Sequence, residues 1–156
     1  MAIANSTAIE APEHELVITR IFDAPRSIVF KAWTDPAQLA RWGGPKGMTF
    51  TIVKMDPRPG GAYTFRMSGS AGDHRSQGVY RELVAPERIV FTTQWADADG
   101  NPVSPATILT LTFEDHAGKT KLTLHQGGFD SAIERDNHGE GYRSTLERLA
   151  EYLEKA

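Results

Sequence analysis

The side chains best able to do chemistry in this 156-residue chain are its histidines, at positions 14, 74, 116, 125 and 138. No two stand at i, i+4, the spacing that puts two imidazoles on one helix face around a zinc ion, and the nearest carboxylates lack any metal-motif spacing. His14 and His116 read as tail and turn residues. The run Asp97-Ala98-Asp99-Gly100-Asn101 has the acids of a calcium loop, but its glycine falls at the wrong position, so it reads as a hairpin turn. Residues 69–78, GSAGDHRSQG, are glycine-rich, yet they join two strands and do not open a helix, which is what a phosphate cradle requires. There is no GxSxG elbow to carry a nucleophilic serine. With no cysteine in the chain, a thiolate metal site, a cysteine nucleophile and a disulfide framework are excluded. The sequence assigns no catalytic residue, no metal and no cofactor.

Five polar residues remain as acids, bases or anchors. His125, late in a strand with Leu122 and Leu124 on the opposite parity, shares a face with Thr123 and is expected on the outer side of the sheet. His138 lies four residues before Tyr142 on a long helix, within reach of a cavity mouth and equally placed for the surface. Arg66 and Arg81 sit between apolar residues on strands. Facing inward they would pair an acidic ligand; the outward orientation is expected. Tyr80 offers a phenol at a strand position where acid–base work is conceivable.

The aromatic set has the make-up of a ligand pocket: rings with a few polar tips. Trp33, Trp42, Phe50, Tyr63, Phe65, Tyr80, Phe91, Trp95 and Tyr142, with Met67 and Leu111 beside them, are the expected ligand-binding residues. Core packing is the alternative fate of the same rings.

The elements that position them follow from the pattern. Residues 15–22, ELVITRIF, are β-branched and extended. Pro25 suits the first position of a helix, and Ile28, Val29, Ala32 and Trp33 follow at helical spacing. Asp35-Pro36 starts a second short helix carrying Leu39 and Trp42, stopped by Gly43-Gly44-Pro45. The period then changes to two through MTFTIVKM, AYTFRM, RSQGVYRELV, RIVFTTQW, ATILTLTFED and TKLTLHQ, separated by turn-rich segments, with SGSAGD read as a flexible hairpin loop. Ser131 and Glu134 form a capping box. Tyr142, Leu146, Leu149 and Leu153 make one apolar stripe on the final helix. Arg143, Glu147, Glu151 and Lys155 alternate in sign on its other face, which suits solvent. Gly139 and Gly141 each weaken this helix by about 1 kcal/mol against Ala. They mark either a close approach or a frayed first turn.

Strands run together and are flanked by helices at both ends, so the expected class is α+β with an antiparallel sheet. A sheet of about seven strands must curl, and one helix covers only part of its concave face, leaving a cavity. The net charge of −3 and pI near 5.9, without a Lys/Arg cluster, argue against nucleic acid. No apolar run is long enough for membrane insertion. The N-terminal residues lack the pattern of a signal peptide. A cytoplasmic location is expected, with residues 1–13 a flexible tail and 14–156 one domain.

The stretches TRIFDAPRSIVFKAWTDPAQLARW, MDPRPGGAYTFRM, GVYRELVAPERIVFTTQW, LTLTFED with TKLTLHQGGF, and GEGYRSTLERLAEYL resemble the START-like (SRPBCC, birch-pollen-allergen-like) superfamily. Within it they are similar to the family named for the C-terminal domain of activators of the heat-shock chaperone ATPase. The resemblance covers residues 15 to 154 and implies the helix-grip fold: a curved antiparallel sheet wrapped around a long C-terminal helix. It implies a hydrophobic or aromatic small molecule held between helix and sheet. The alternatives are a polyketide cyclase/aromatase-like enzyme or a chaperone-interaction module, with a chaperone or a second copy of the chain as partner. Two positions depart from the family pattern. Gly43 stands where relatives usually carry a second Trp after Trp42, and Tyr142 stands where they usually carry Trp. Both changes are expected to make the interior roomier or slightly more polar, so the pocket should differ most from its relatives' at Gly43.

Overall fold

A computed structural model describes residues 14–70 and 72–155. The expected tail, residues 1–13, lies outside the described residues. The element order is β1 (Leu16–Phe22), α1 (Arg26–Thr34), α2 (Pro36–Trp42), β2 (Thr49–Met55), β3 (Ala62–Gly69), β4 (Gly72–Val84), β5 (Arg88–Ala96), β6 (Thr107–His116), β7 (Lys119–Gly127) and α3 (Ala132–Lys155). The seven strands form one sheet, ordered β1-β7-β6-β5-β4-β3-β2, with every pair antiparallel. This is the helix-grip α+β architecture.

Alternation builds the inner face. On β6, Leu109, Leu111 and Phe113 are buried. On β7, Thr120, Leu122, Leu124 and Gln126 are buried while the residues between them are half-exposed. Removing such an aliphatic side chain from water is worth roughly 1.5–3 kcal/mol. A bulge between Ile52 and Lys54 restores Met55 to the inner side of β2. The segment SGSAGD is not a loop: Ser68 pairs Asp73 and Gly69 pairs Gly72, so the ladder continues to the tip.

The two short helices begin as the sequence dictates. The Asp35 carboxylate accepts from the Ala37 amide at 3.1 Å, and Pro36 takes the first helical position. On α1 the buried set is Val29, Phe30 and Ala32, with Phe30 edge-on to Phe113 at 5.4 Å; Ile28 is exposed. The Trp42 indole N–H donates to the Ala32 carbonyl at 3.1 Å, and its ring meets Trp33 edge-on at 4.7 Å. The corner is thus locked by its own two tryptophans.

Helix α3 begins where Ser131 Oγ accepts from the Glu134 amide at 3.1 Å. Leu146 and Leu149 are buried, with Tyr142 and Leu153 packed beside them. The charged face is not purely solvated. Glu147 pairs with Arg20 of β1 at 2.9 Å, and Glu151 pairs with Lys46 at 3.3 Å. The α3 residues Ser144, Arg148 and Tyr152 reach the α2 corner: Lys46 N donates to Ser144 Oγ, Arg148 donates to the carbonyls of Arg41, Gly43 and Gly44, and the Tyr152 hydroxyl donates to Gln38 Oε1. Among the described residues, no helix is long and apolar enough to cross a membrane.

Candidate functional site

Helix α3 packs along β1 and α2, and over the strands β3 to β5 it stands away from the sheet. The space between is a cavity of about 870 Å³. Its closed end is built by the α1–α2 corner, where Leu39, Trp42, Gly43 and Gly44 are all buried. Its open end is ringed by exposed residues: His74 from β4, Val103 from the β5–β6 loop, Asp130 before α3, and Glu134 and Asn137 on the first turns of α3.

Nine of the eleven residues expected to bind a ligand line this cavity. Trp33 and Trp42 come from the corner, Phe50 from β2, Tyr63, Phe65 and Met67 from β3, Phe91 and Trp95 from β5, and Tyr142 from α3. The other two do not. Tyr80 and Leu111 lie on inward-facing strand positions but are packed into the closed core. The rings of the lining form a continuous layer: Phe50 to Phe65 at 5.1 Å, Phe65 to Tyr63 at 4.6 Å, and Tyr63 edge-on to Phe91 at 5.6 Å. Such offset and edge contacts are the favoured aromatic geometries.

Gly78 makes room for Tyr63. A Cβ there would come within 1.8 Å of the Thr92 carbonyl oxygen and 2.9 Å of the Tyr63 ring. With only hydrogen in that place, the Tyr63 hydroxyl reaches Thr92 O and donates to it at 2.8 Å. Burial pushes the Tyr63 phenol well above the usual tyrosine range, and it does the same to Tyr80 and Tyr142. Tyr142 is half-exposed yet strongly desolvated, because the surface it exposes is that of the cavity. Among the described residues its hydroxyl has no hydrogen-bond partner. The Trp33 indole N–H is buried without an acceptor.

The polar residues singled out from sequence fall elsewhere. Arg66 is exposed and bound to Asp73 through Nε at 2.9 Å, which holds the Asp73 carboxyl below its usual range. Arg81 is exposed. His125 Nε2 meets Glu15 Oε1 at 2.6 Å on the outer face of the sheet, and Tyr80 is in the core. His138, in contrast, lines the cavity. Its ring lies 4.8 Å from Phe129, 5.6 Å from Trp95 and 6.3 Å from Tyr142. Its Nδ1 is 2.9 Å from the Glu134 carbonyl. A carbonyl only accepts, so Nδ1 carries the proton and Nε2 of the neutral ring keeps its lone pair.

Sequence reasoning missed His74, Phe129, Gly141, Thr145 and the β5–β6 loop as lining. On α3 a signal was available: Glu134, His138, Gly141, Tyr142 and Thr145 recur at helical spacing and form a second stripe beside the leucine one. For the loop there was none, since it is placed by long-range bonds such as Val103 N to Trp95 O at 2.9 Å. Among the described residues, no group of three or more His, Asp or Glu side chains is arranged to hold a metal ion.

The architecture recurs in solved structures. A Chromobacterium violaceum protein is 32% identical over 88% of this chain and 94% of its own, with a TM-score of 0.78. A Mycobacterium smegmatis protein is 29% identical over 92% of each chain, with a TM-score of 0.81. An Arthrobacter aurescens protein is 27% identical over 93% of this chain and 88% of its own, with a TM-score of 0.83. No curated protein matches the sequence. The family model described as Activator of Hsp90 ATPase homolog 1-like protein matches residues 23–154, and the chain belongs to that family.

Proposed function

We propose that this protein binds a hydrophobic, aromatic small molecule in the cavity between α3 and the curved sheet. The observation that carries the reading is a ring-lined space of about 870 Å³ that side chains leave unfilled. Interiors of this size normally pack to crystal density, and voids larger than a few waters are few. The volume lies within the range of roughly 300–1,000 Å³ typical of ligand pockets. The lining is mainly apolar and rich in rings, with charged side chains at the open end, which orients a guest with its apolar part inward.

A thermal-shift and native mass-spectrometry screen with aromatic and polyketide-like compounds tests this. The control is Gly141→Phe. Gly141 sits on the cavity stripe of α3, and a Cβ there meets nothing within 4 Å, so a side chain at this position has open space beside the cavity to enter. Ligands that shift the wild-type melting temperature should fail to shift this variant. Equal shifts in both would reject the cavity as the site.

A second reading, a cyclase- or aromatase-like enzyme, draws support from one feature. The lone pair of His138 Nε2 and the unpartnered Tyr142 hydroxyl sit on adjacent turns of α3 along the cavity. Turnover of a bound aromatic or polyketide-like compound that His138→Gln abolishes without loss of binding would favour it over simple binding.

A further inference from the structure

The charge of the lining specifies the guest more narrowly than its apolar rings do. Among the described residues no lysine or arginine lines the cavity, while two carboxylates, Asp130 and Glu134, stand at its open end. Among the described residues neither carboxylate has an ion-pair partner. The nearest basic residue along the chain, Arg135, is not part of the lining and pairs with Asp136 at 3.0 Å. An anionic guest would therefore shed water at this rim without meeting a compensating cation.

Three hydroxyl donors of the wall are spent within the protein. Tyr63 donates to Thr92 O at 2.8 Å, Thr107 to Thr93 O at 3.1 Å, and Thr145 to Gly141 O at 2.9 Å. At the rim the two carboxylates and His138 Nε2 remain as acceptors, while the lining also keeps donors in the Ser76 hydroxyl, the Asn137 amide and the Trp95 indole. The Tyr142 hydroxyl can act in either sense. Trp95 and Phe129 flank His138 at 5.6 and 4.8 Å, so a cationic group held there would also lie beside aromatic faces.

We infer that the cavity selects aromatic guests whose outer end is neutral or cationic, such as a phenol or an amine, and discriminates against carboxylates and phosphates. This rests on the cavity being a ligand site, and the test separates the two statements. Three compounds sharing one ring system, 2-naphthol, 2-naphthylmethylamine and 2-naphthoate, are titrated against the protein at pH 8 with tryptophan fluorescence and calorimetry as readouts. Naphthol and the amine are expected to bind at least about tenfold more tightly than naphthoate, a factor corresponding to about 1.4 kcal/mol. The Asp130→Asn/Glu134→Gln double variant changes two exposed side chains and is expected to fold normally. It should narrow the amine-to-naphthoate ratio about threefold or more. If all three compounds bind alike, or naphthoate binds best, or the ratio is unmoved in the double variant, the selectivity is overturned while the binding site stands. If none of the three binds, nor naphthalene itself, the cavity is not a site for such guests and both statements fall.

Discussion

The ring of Phe50 occupies the space beside Gly43: a Cβ on Gly43 would lie 2.6 Å from the ring's Cε2 and 2.8 Å from its Cζ. The glycine does not simply leave a gap after Trp42. The Phe50 ring fills the space a side chain at position 43 would take, and the two positions act as one unit. Gly43→Ala should therefore destabilise by about 1–3 kcal/mol, the usual cost of overpacking. In the Phe50→Leu background the same substitution should cost measurably less. A double-mutant cycle by urea unfolding reads the coupling, and additive costs would show that the ring yields freely.

Gly139 and Gly141 lie two residues apart on α3 and should respond oppositely to alanine. A Cβ at Gly141 meets nothing within 4 Å, whereas at Gly139 it would come 3.1 Å from Leu16 Cδ1 and 3.0 Å from Arg143 Nη1. Leu16 is buried and has little room to give. Gly141→Ala should stabilise by about 0.5–1 kcal/mol through helix propensity alone. Gly139→Ala should fall at least about 1 kcal/mol below it. Chemical denaturation of both variants decides, and equal gains would show that β1 does not press on this helix.

Arg148 ties α3 to the closed end of the cavity by donating to three carbonyls at the end of α2, those of Arg41, Gly43 and Gly44. These carbonyls have no partner within the helix and need a donor. Arg148→Met should cost about 2 kcal/mol, in line with the loss of charge-assisted hydrogen bonds. Hydrogen exchange should show faster opening of residues 36–46 than of the β6–β7 ladder. Uniform loss of protection across the chain would contradict this local role.

Alkaline pH should destabilise the protein through its buried phenols. Tyr63, Tyr80 and Tyr142 all have folded-state pKa values raised by burial above the ordinary tyrosine value. Above about pH 10 the unfolded chain releases phenolic protons that the folded state retains. The folded state then binds more protons, so stability is complete below that pH and falls as pH rises further. Urea midpoints should decline from about pH 10 upward, and Tyr80→Phe should make the decline shallower. An unchanged slope in that variant would show that Tyr80 ionises as freely in the folded protein as in the unfolded one.

The elements were legible because each is written in local chemistry. Asp35 caps a helix that Pro36 opens, and the period-two runs from Thr49 onward can bury only one face. The order of those elements, with one amphipathic helix at the end, leaves the helix-grip arrangement as the way to cover a curled sheet. Alternation also told which strand residues point inward, and on that basis Tyr63, Tyr80, Phe91 and Leu111 look equivalent. They are not. Tyr63 and Phe91 lie where α3 stands off from the sheet, and Tyr80 and Leu111 lie where the core closes over them. His138 is the converse case: the sequence left it between surface and cavity mouth, and the curvature of the sheet beneath α3 placed it in the lining. The sequence alone thus determined the elements, their order and which face of each is apolar, since these depend on neighbours a few residues away. The tertiary structure decided which part of the apolar face is filled and which lines a cavity, because that depends on where a helix much further along the chain crosses the strands.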